Sequence, residues 1–195
     1  MALLTCHAFH AGLRPVARAG RVLALAACAA AIGVGEVRAG ESVSLEDAVK
    51  ATFILKFAPF VTWPASAQKA DSFDICTEGD DNVSGYLPQA AQGQNVDGRR
   101  VEIRALTAGQ AGDDCRIVYI ASGAEPGPAL DRLHAKPVLT VTQSGDGPHG
   151  VIQLLKLGNH VSFDIDAKLA SDDGLTISSK LLALAHSVTP AGGQQ

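Results

Sequence analysis

The run Arg116-Ile117-Val118-Tyr119-Ile120-Ala121 constrains the fold more than any other part of this chain. After the arginine it is apolar or aromatic at every position, with no alternation of wet and dry residues. Strands with one solvated face alternate with period two, whereas strands buried on both faces read as continuous apolar runs. A chain carrying such a strand must supply cover above and below a sheet. The flanking segments have the right patterns. Residues 45–58 read as a helix, with Ser44 and, three residues on, Asp47 as its N-terminal signature. It is apolar around most of its circumference, which predicts packing on more than one side. Pro59 and then Trp63-Pro64 close it. The large apolar residues Phe53, Phe57, Phe60 and Trp63 are expected in the core.

Further along, residues 73–77 form a strand that ends at the acidic turn Glu78-Gly79-Asp80-Asp81. A short helix over 83–92 follows, ended by Gly93, and the Asp97-Gly98 turn introduces a strand over 101–106. A helix over 128–134 leads into a strand over 137–142. After a glycine-rich turn, residues 151–157 and 161–166 make a hairpin with Gly158-Asn159 at its tip. Within it Val161, Phe163 and Ile165 face one way, and Ser162, Asp164 and Asp166 the other. A last helix is expected over 178–188, with Ser178 as N-cap. The expected fold is α/β, a single domain over 40–190 with a mixed β-sheet covered by helices, a Rossmann-like layered sandwich. Residues 191–195 are expected to form a flexible tail.

The amino end reads as an address. Residues 1–21 hold arginines and no acids, residues 22–34 are nearly all apolar, and Val37-Arg38-Ala39 supplies small residues for cleavage. This is the arrangement of a secretory signal peptide over 1–39, and it places the product in the periplasm. The apolar run is short for crossing ~30 Å of hydrocarbon, so no membrane span is expected. Leu25-Ala26-Ala27-Cys28 also fits the pattern before a lipidated cysteine, which keeps a lipoprotein as the alternative. Once 1–39 is removed, twelve basic residues face nineteen acidic ones. A nucleic-acid partner is therefore excluded, because phosphate binding needs a basic footprint. Cys6 and Cys28 leave with the signal, and Cys76 and Cys115 remain. An even pair in an oxidising compartment reads as one disulfide, with two buried free thiols as the alternative. Closing a loop of about 40 residues would add on the order of 4 kcal/mol.

Several motifs fail when their mechanisms are examined. Gly145-Asp146-Gly147-Pro148-His149-Gly150 matches the dinucleotide fingerprint, but a hairpin strand follows it where a helix N-terminus is needed. His134, His149, His160 and His186 lack metal-ligand spacing. Asp164 and Asp166 share a strand face without the unequal environments of an acid–base pair. Ser178-Ser179-Lys180 lacks the spacing that places a lysine one turn from a nucleophile. No catalytic constellation, cofactor or metal site is expected, and the chain reads as a non-enzyme.

Five ordered segments resemble the YfiR family of periplasmic regulators. Lys50-Ala51, Phe53, Phe57-Ala58, Phe60-Val61 and Trp63-Pro64 are similar to its opening pattern KAxxLxxFxxFVxWP. Ile75-Cys76 with Gly79-Asp80-Asp81 comes next. Val96-Asp97-Gly98-Arg99 then leads through Val101 and Arg104 to the run from Cys115 to Ile120. Residues 137–141 (PVLTV) follow, and the last segment runs from Phe163-Asp164-Ile165 to residues 174–182 (GLTISSKLL). Two departures fall near the hairpin: His149-Gly150-Val151-Ile152 stands where the family commonly has Gly-Gly-Met-Ile, and Asp166 where it commonly has asparagine. The second cysteine pair of some members is absent. The resemblance implies a homodimeric α/β domain clasped by a redox-sensitive Cys76–Cys115 bridge. It also implies a partner, the periplasmic domain of an inner-membrane diguanylate cyclase, which the protein represses to limit cyclic di-GMP and surface attachment. Gln153, Leu155, Asp164 and Ile177 are the candidate partner contacts. The competing expectation is a small-molecule sensor module beside a sensor kinase or transporter.

Overall fold

The structure, a computed structural model, describes residues 44–67 and 71–192. The signal-peptide reading of 1–39 and the last three residues of the expected tail lie outside the described residues. The chain opens with helix α1 (Leu45–Phe57), a 3₁₀ turn (Ala58–Phe60), the two-residue strand β1 (Val61–Thr62) and a second 3₁₀ turn (Ala65–Ala67). Next come β2 (Ser72–Glu78), α2 (Asn82–Ala90), β3 (Asn95–Val96), β4 (Arg99–Leu106) and β5 (Ile117–Ile120). They are followed by α3 (Pro126–Leu133), β6 (Leu139–Gln143), β7 (Ile152–Leu157), β8 (His160–Asp166) and α4 (Ala167–Asp172). The carboxyl end adds β9 (Thr176–Ile177), α5 (Ser179–Leu182) and β10 (Ser187–Thr189).

Eight strands form one mixed sheet in the order β10-β8-β7-β6-β5-β2-β4-β3. The run from β4 through β2, β5 and β6 to β7 is parallel; α2 lies in the crossover from β2 to β4 and α3 in that from β5 to β6, while β6 reaches β7 through residues 144–151 without a helix. The β7–β8 hairpin is antiparallel, with Leu157 opposite His160 at its tip. β5 lies in the middle, and all four of its residues are buried. The mixed, helix-covered sheet expected from the pattern is therefore present.

The apolar core lies on both faces. Phe73, Ile75, Ile117, Tyr119, Leu139 and Val141 join α1 and α2 in the larger cluster. Their neighbours Cys76, Val118, Ile120 and Val138 join Leu133 of α3 in the smaller one. Alternation along each parallel strand thus feeds two cores, one under each helical layer. The first helix packs on both α2 and β8, which is why its apolar residues run around it. Phe57 and Trp63 are buried, and Phe53 and Phe60 pack against that core. Ser44 caps α1 by backbone geometry alone, without a side-chain hydrogen bond.

One element differs from its sequence pattern. The helix expected over 178–188 is a single turn, α5, and residues 187–189 are instead strand β10, parallel to β8. Leu181 is buried, but Leu184, which a longer helix would have packed, is 65% exposed. The β-branched Val188 and Thr189 favour extended backbone, and Pro190 cannot follow within a helix. The free edge of β8 supplies the deciding hydrogen bonds, beginning with His186 N–H to the Phe163 carbonyl at 2.8 Å. Ser178 does cap the short turn, its hydroxyl accepting from the Lys180 amide. The helix α4, which the pattern did not indicate, starts where the Asp166 carboxylate accepts from the Leu169 amide at 2.8 Å. Asparagine at that position would make the same cap.

Candidate functional site

Strand order reverses between β2 and β5. From β2 the chain passes through α2 to β4 on one side, and from β5 through α3 to β6 on the other. Open α/β sheets place their ligand crevices at the carboxyl ends of the two strands flanking such a point. Here the two loops that leave those strands touch. A Cβ on Gly79, at φ +78°, would stand 2.8 Å from the Ala124 backbone nitrogen, and one on Gly123 would stand 2.7 Å from the Asp80 carbonyl oxygen. The close approach explains both glycines. It leaves open space only to one side, beneath α3.

On the α1–α2 side the space is filled by the protein's own polar groups. Asp81 caps α2, accepting from the Ser84 amide at 2.8 Å, while the Ser84 hydroxyl accepts from the Asp81 amide at 3.0 Å. The other Asp81 oxygen accepts from the Tyr119 hydroxyl (2.7 Å), the Ser122 amide (3.0 Å) and the Gln143 side-chain amide (2.8 Å). The Gln143 carbonyl in turn accepts from Lys50 at 2.8 Å, and Lys50, itself buried, pairs with Glu46 at 2.7 Å. Burial pushes the Asp81 carboxyl up. The Ser84 amide, the Tyr119 hydroxyl and the other donors outweigh that and hold it below the ordinary carboxylate range. Burial and the same carboxylate push the Tyr119 hydroxyl far above its usual value. This network joins α1, α2, β5 and β6 into one unit.

On the α3 side there is a cavity of about 550 Å³ between the carboxyl ends of β2 and β4, the 107–110 loop and α3. Glu78, the last residue of β2, lines it with a side chain 7% exposed, and its Oε2 accepts from Arg132 of α3 at 2.6 Å. No donor among the described residues reaches its Oε1. Arg132 also donates to the Pro128 carbonyl at 2.9 Å. Asp80 and Glu125 stand at the rim, and Leu106, Ala108 and Ala124 are among the apolar lining. The pattern of the sequence marked the acidic turn but not this cavity, because Glu78 and Arg132 are 54 residues apart.

Below the cavity, Cys76 of β2 and Cys115 form a disulfide with Cα atoms 6.0 Å apart. Of the two alternatives for these cysteines, the structure has the bridge. Both are fully buried. An Arg104 nitrogen lies 3.5 and 3.3 Å from the two sulfurs and 2.7 Å from Asp114, while its Nε lies 3.2 Å from Asp74.

Of the four candidate partner contacts, three share one face of the hairpin. Gln153 pairs with Asp164 across the β7–β8 ladder, and Leu155 pairs with Ser162. All are half-buried, whereas Leu154, Phe163 and Ile165 on the opposite face are buried, so this end of the sheet is roofed on one side only. Asp164 lies 3.1 Å from His186, and Gln153, Asp164, His149 and Ser187 surround a 90 Å³ dent. Ile177 is elsewhere. It sits in β9, antiparallel to β1 opposite Val61, and packs on the larger core. The glycine-rich turn leads directly into β7 with no helix after it. Gly150 is fixed by contact: a Cβ would meet the Thr140 carbonyl at 2.7 Å, and the Thr142 and Thr140 hydroxyls accept from the amides of Gly150 and Val151. Among the described residues, no three of His, Cys, Asp and Glu cluster as metal ligands, and no helix is long and apolar enough to cross a membrane.

The model of a family described as YfiR/HmsC-like matches residues 47–186 of this chain. No curated protein matches it.

Proposed function

The chain belongs to the YfiR/HmsC-like family, and from that premise we propose that it is a periplasmic regulator that holds an inner-membrane diguanylate cyclase inactive and so restrains cyclic di-GMP signalling. The observation that carries the reading is the family match, which runs from the first turn of α1 to His186, the residue before β10. The half-roofed face of β7 and β8, with Gln153, Leu155 and Asp164 at its centre, is the surface we assign to the cyclase. It offers a mixed polar and apolar patch on a rigid hairpin, suited to a reversible contact. Repression requires only that the protein bind the inactive state of its partner better than the active one. A tenfold bias corresponds to about 1.4 kcal/mol.

Redox control in this scheme acts through opening of the structure. A reductant attacks a disulfide sulfur directly, and both sulfurs are buried beside Arg104. The 107–115 segment must therefore swing out first, and reduction reports envelope stress only as fast as that segment opens.

The test uses the chain exported through its own amino-terminal segment and recovered from the periplasm. It serves as bait on detergent-solubilised inner membrane, with and without reductant, and captured proteins are identified by mass spectrometry. Capture of a diguanylate cyclase, weakened by reduction, is the expected result. Capture of a sensor kinase or transporter in its place would favour the second reading, a small-molecule sensor module, which the cavity beside Glu78 supports. Capture of neither would remove the repressor proposal.

A further inference from the structure

We propose that the amino-terminal end of the parallel sheet binds a small oxyanion of the phosphate or sulfate class, and that Arg116 is the residue that receives it. Arg116 stands immediately before β5, and its backbone amide donates to the Asp74 carbonyl of β2 at 2.8 Å. The residue is 6% exposed, and its Nε is buried without a hydrogen-bond partner. Among the described residues, Arg104 and Arg132 also bury an unpartnered Nε, but each holds a carboxylate with another nitrogen, at 2.7 and 2.6 Å. Arg116 has no carboxylate within ion-pair distance. Buried charges are normally paired, so a guanidinium in this position calls for an acceptor from outside the protein. With Nε enclosed, an arriving anion meets the Nη end of the fork.

The neighbouring acids are already committed. Asp74 accepts from the Ser72 hydroxyl at 2.6 Å on one oxygen, and its other oxygen lies 3.2 Å from Arg104 Nε. Asp114 is held by Arg104 as well, at 2.7 Å. Arg99, which pairs with Asp97 at 3.7 Å, adds a second positive charge near Arg116. Burial and then the Arg99 charge pull the Arg116 guanidinium below its ordinary value, and Asp74 and Asp114 do not offset them. Two cations at one end of the sheet favour a dianion over a monocarboxylate, because attraction scales with the charge of the ligand. The position is one residue beyond Cys115, so an anion held there braces the segment that carries the bridge.

The experiment is isothermal titration of the exported protein with inorganic phosphate, sulfate and acetate at neutral pH and constant ionic strength, with melting curves in the same anions. The expected result is saturable phosphate and sulfate binding in the millimolar range or tighter, weaker acetate binding, and a melting temperature that rises with phosphate. Arg116→Met keeps the apolar stem and removes the charge, and it is expected to lose both the binding and the rise. Arg116→Lys keeps the charge without the planar fork and is expected to bind about tenfold more weakly. Melting curves establish that each variant is folded, and if Arg116→Met is not, Arg116→Lys carries the test. No saturable phosphate binding, binding unchanged in the folded variant, or acetate preferred to phosphate would each overturn the proposal.

Discussion

Two aspartates show how environment decides what a carboxylate does for stability, and with opposite signs. Asp81 gathers donors from three directions and is held below its ordinary value despite its burial. Its contribution is therefore present above the carboxylate range and lost as pH falls through the folded-state value. Asp81→Asn is expected to cost about 2–3 kcal/mol at neutral pH, since it replaces charge-assisted hydrogen bonds inside the network. The deficit should shrink below about pH 4, and urea midpoints measured at several pH values check both claims. Asp173, at the end of α4, is 4% exposed, and burial holds its carboxyl above the usual range even though the Ala135 amide donates to it at 2.7 Å. A raised acid favours the folded state at low pH and loses that contribution as pH rises through the folded-state value. Asp173→Asn keeps the acceptor for Ala135 without the charge. The variant should melt above the parent at neutral pH and level with it in acid, as differential scanning calorimetry would show.

At the level of elements, the bridge between β2 and the lead into β5 is the strongest single constraint. The linked residues are 39 apart, and cross-linking a loop of that size stabilises a domain by about 4 kcal/mol through the unfolded chain. Replacing both cysteines by alanine is expected to remove about that much, measured by chemical denaturation. Because both sulfurs are buried, the native bridge should also resist dithiothreitol until denaturant opens the 107–115 segment. Rapid reduction of the native protein would show instead that the segment opens freely.

On the scale of the whole molecule, the sheet is covered unevenly. Helices α1 and α2 roof one face, α3 roofs the middle of the other, and the outer face of the hairpin stays half-open. Partner binding and folding should therefore separate by position. Leu155→Asp, on the open face, is expected to release the cyclase at least tenfold while moving the melting temperature little, whereas Ile177→Ala should cost about 1–2 kcal/mol of stability. Cyclase output and thermal melting of the same variants read the two effects. If Leu155→Asp leaves repression intact, the assigned surface is wrong.

What the sequence determined by itself is the set of local decisions. The unbroken apolar run of β5 and the alternation of β8 each state a preference that neighbours within a few residues can enforce, and Cys76 with Cys115 reads as a pair from cysteine counting. That was enough for the fold class, most elements and the bridge. The tertiary structure alone decided three things, all of which depend on groups brought together from distant positions. Residues 187–189 joined the sheet because the edge of β8 offered hydrogen bonds worth more than the helical preference of the preceding leucines. Lys50, Asp81, Tyr119 and Gln143 became one network because four elements, α1, α2, β5 and β6, bring them within hydrogen-bond reach. Glu78 met Arg132 across a cavity that no local pattern encodes, since a cavity is what packing leaves over once every element has found its place.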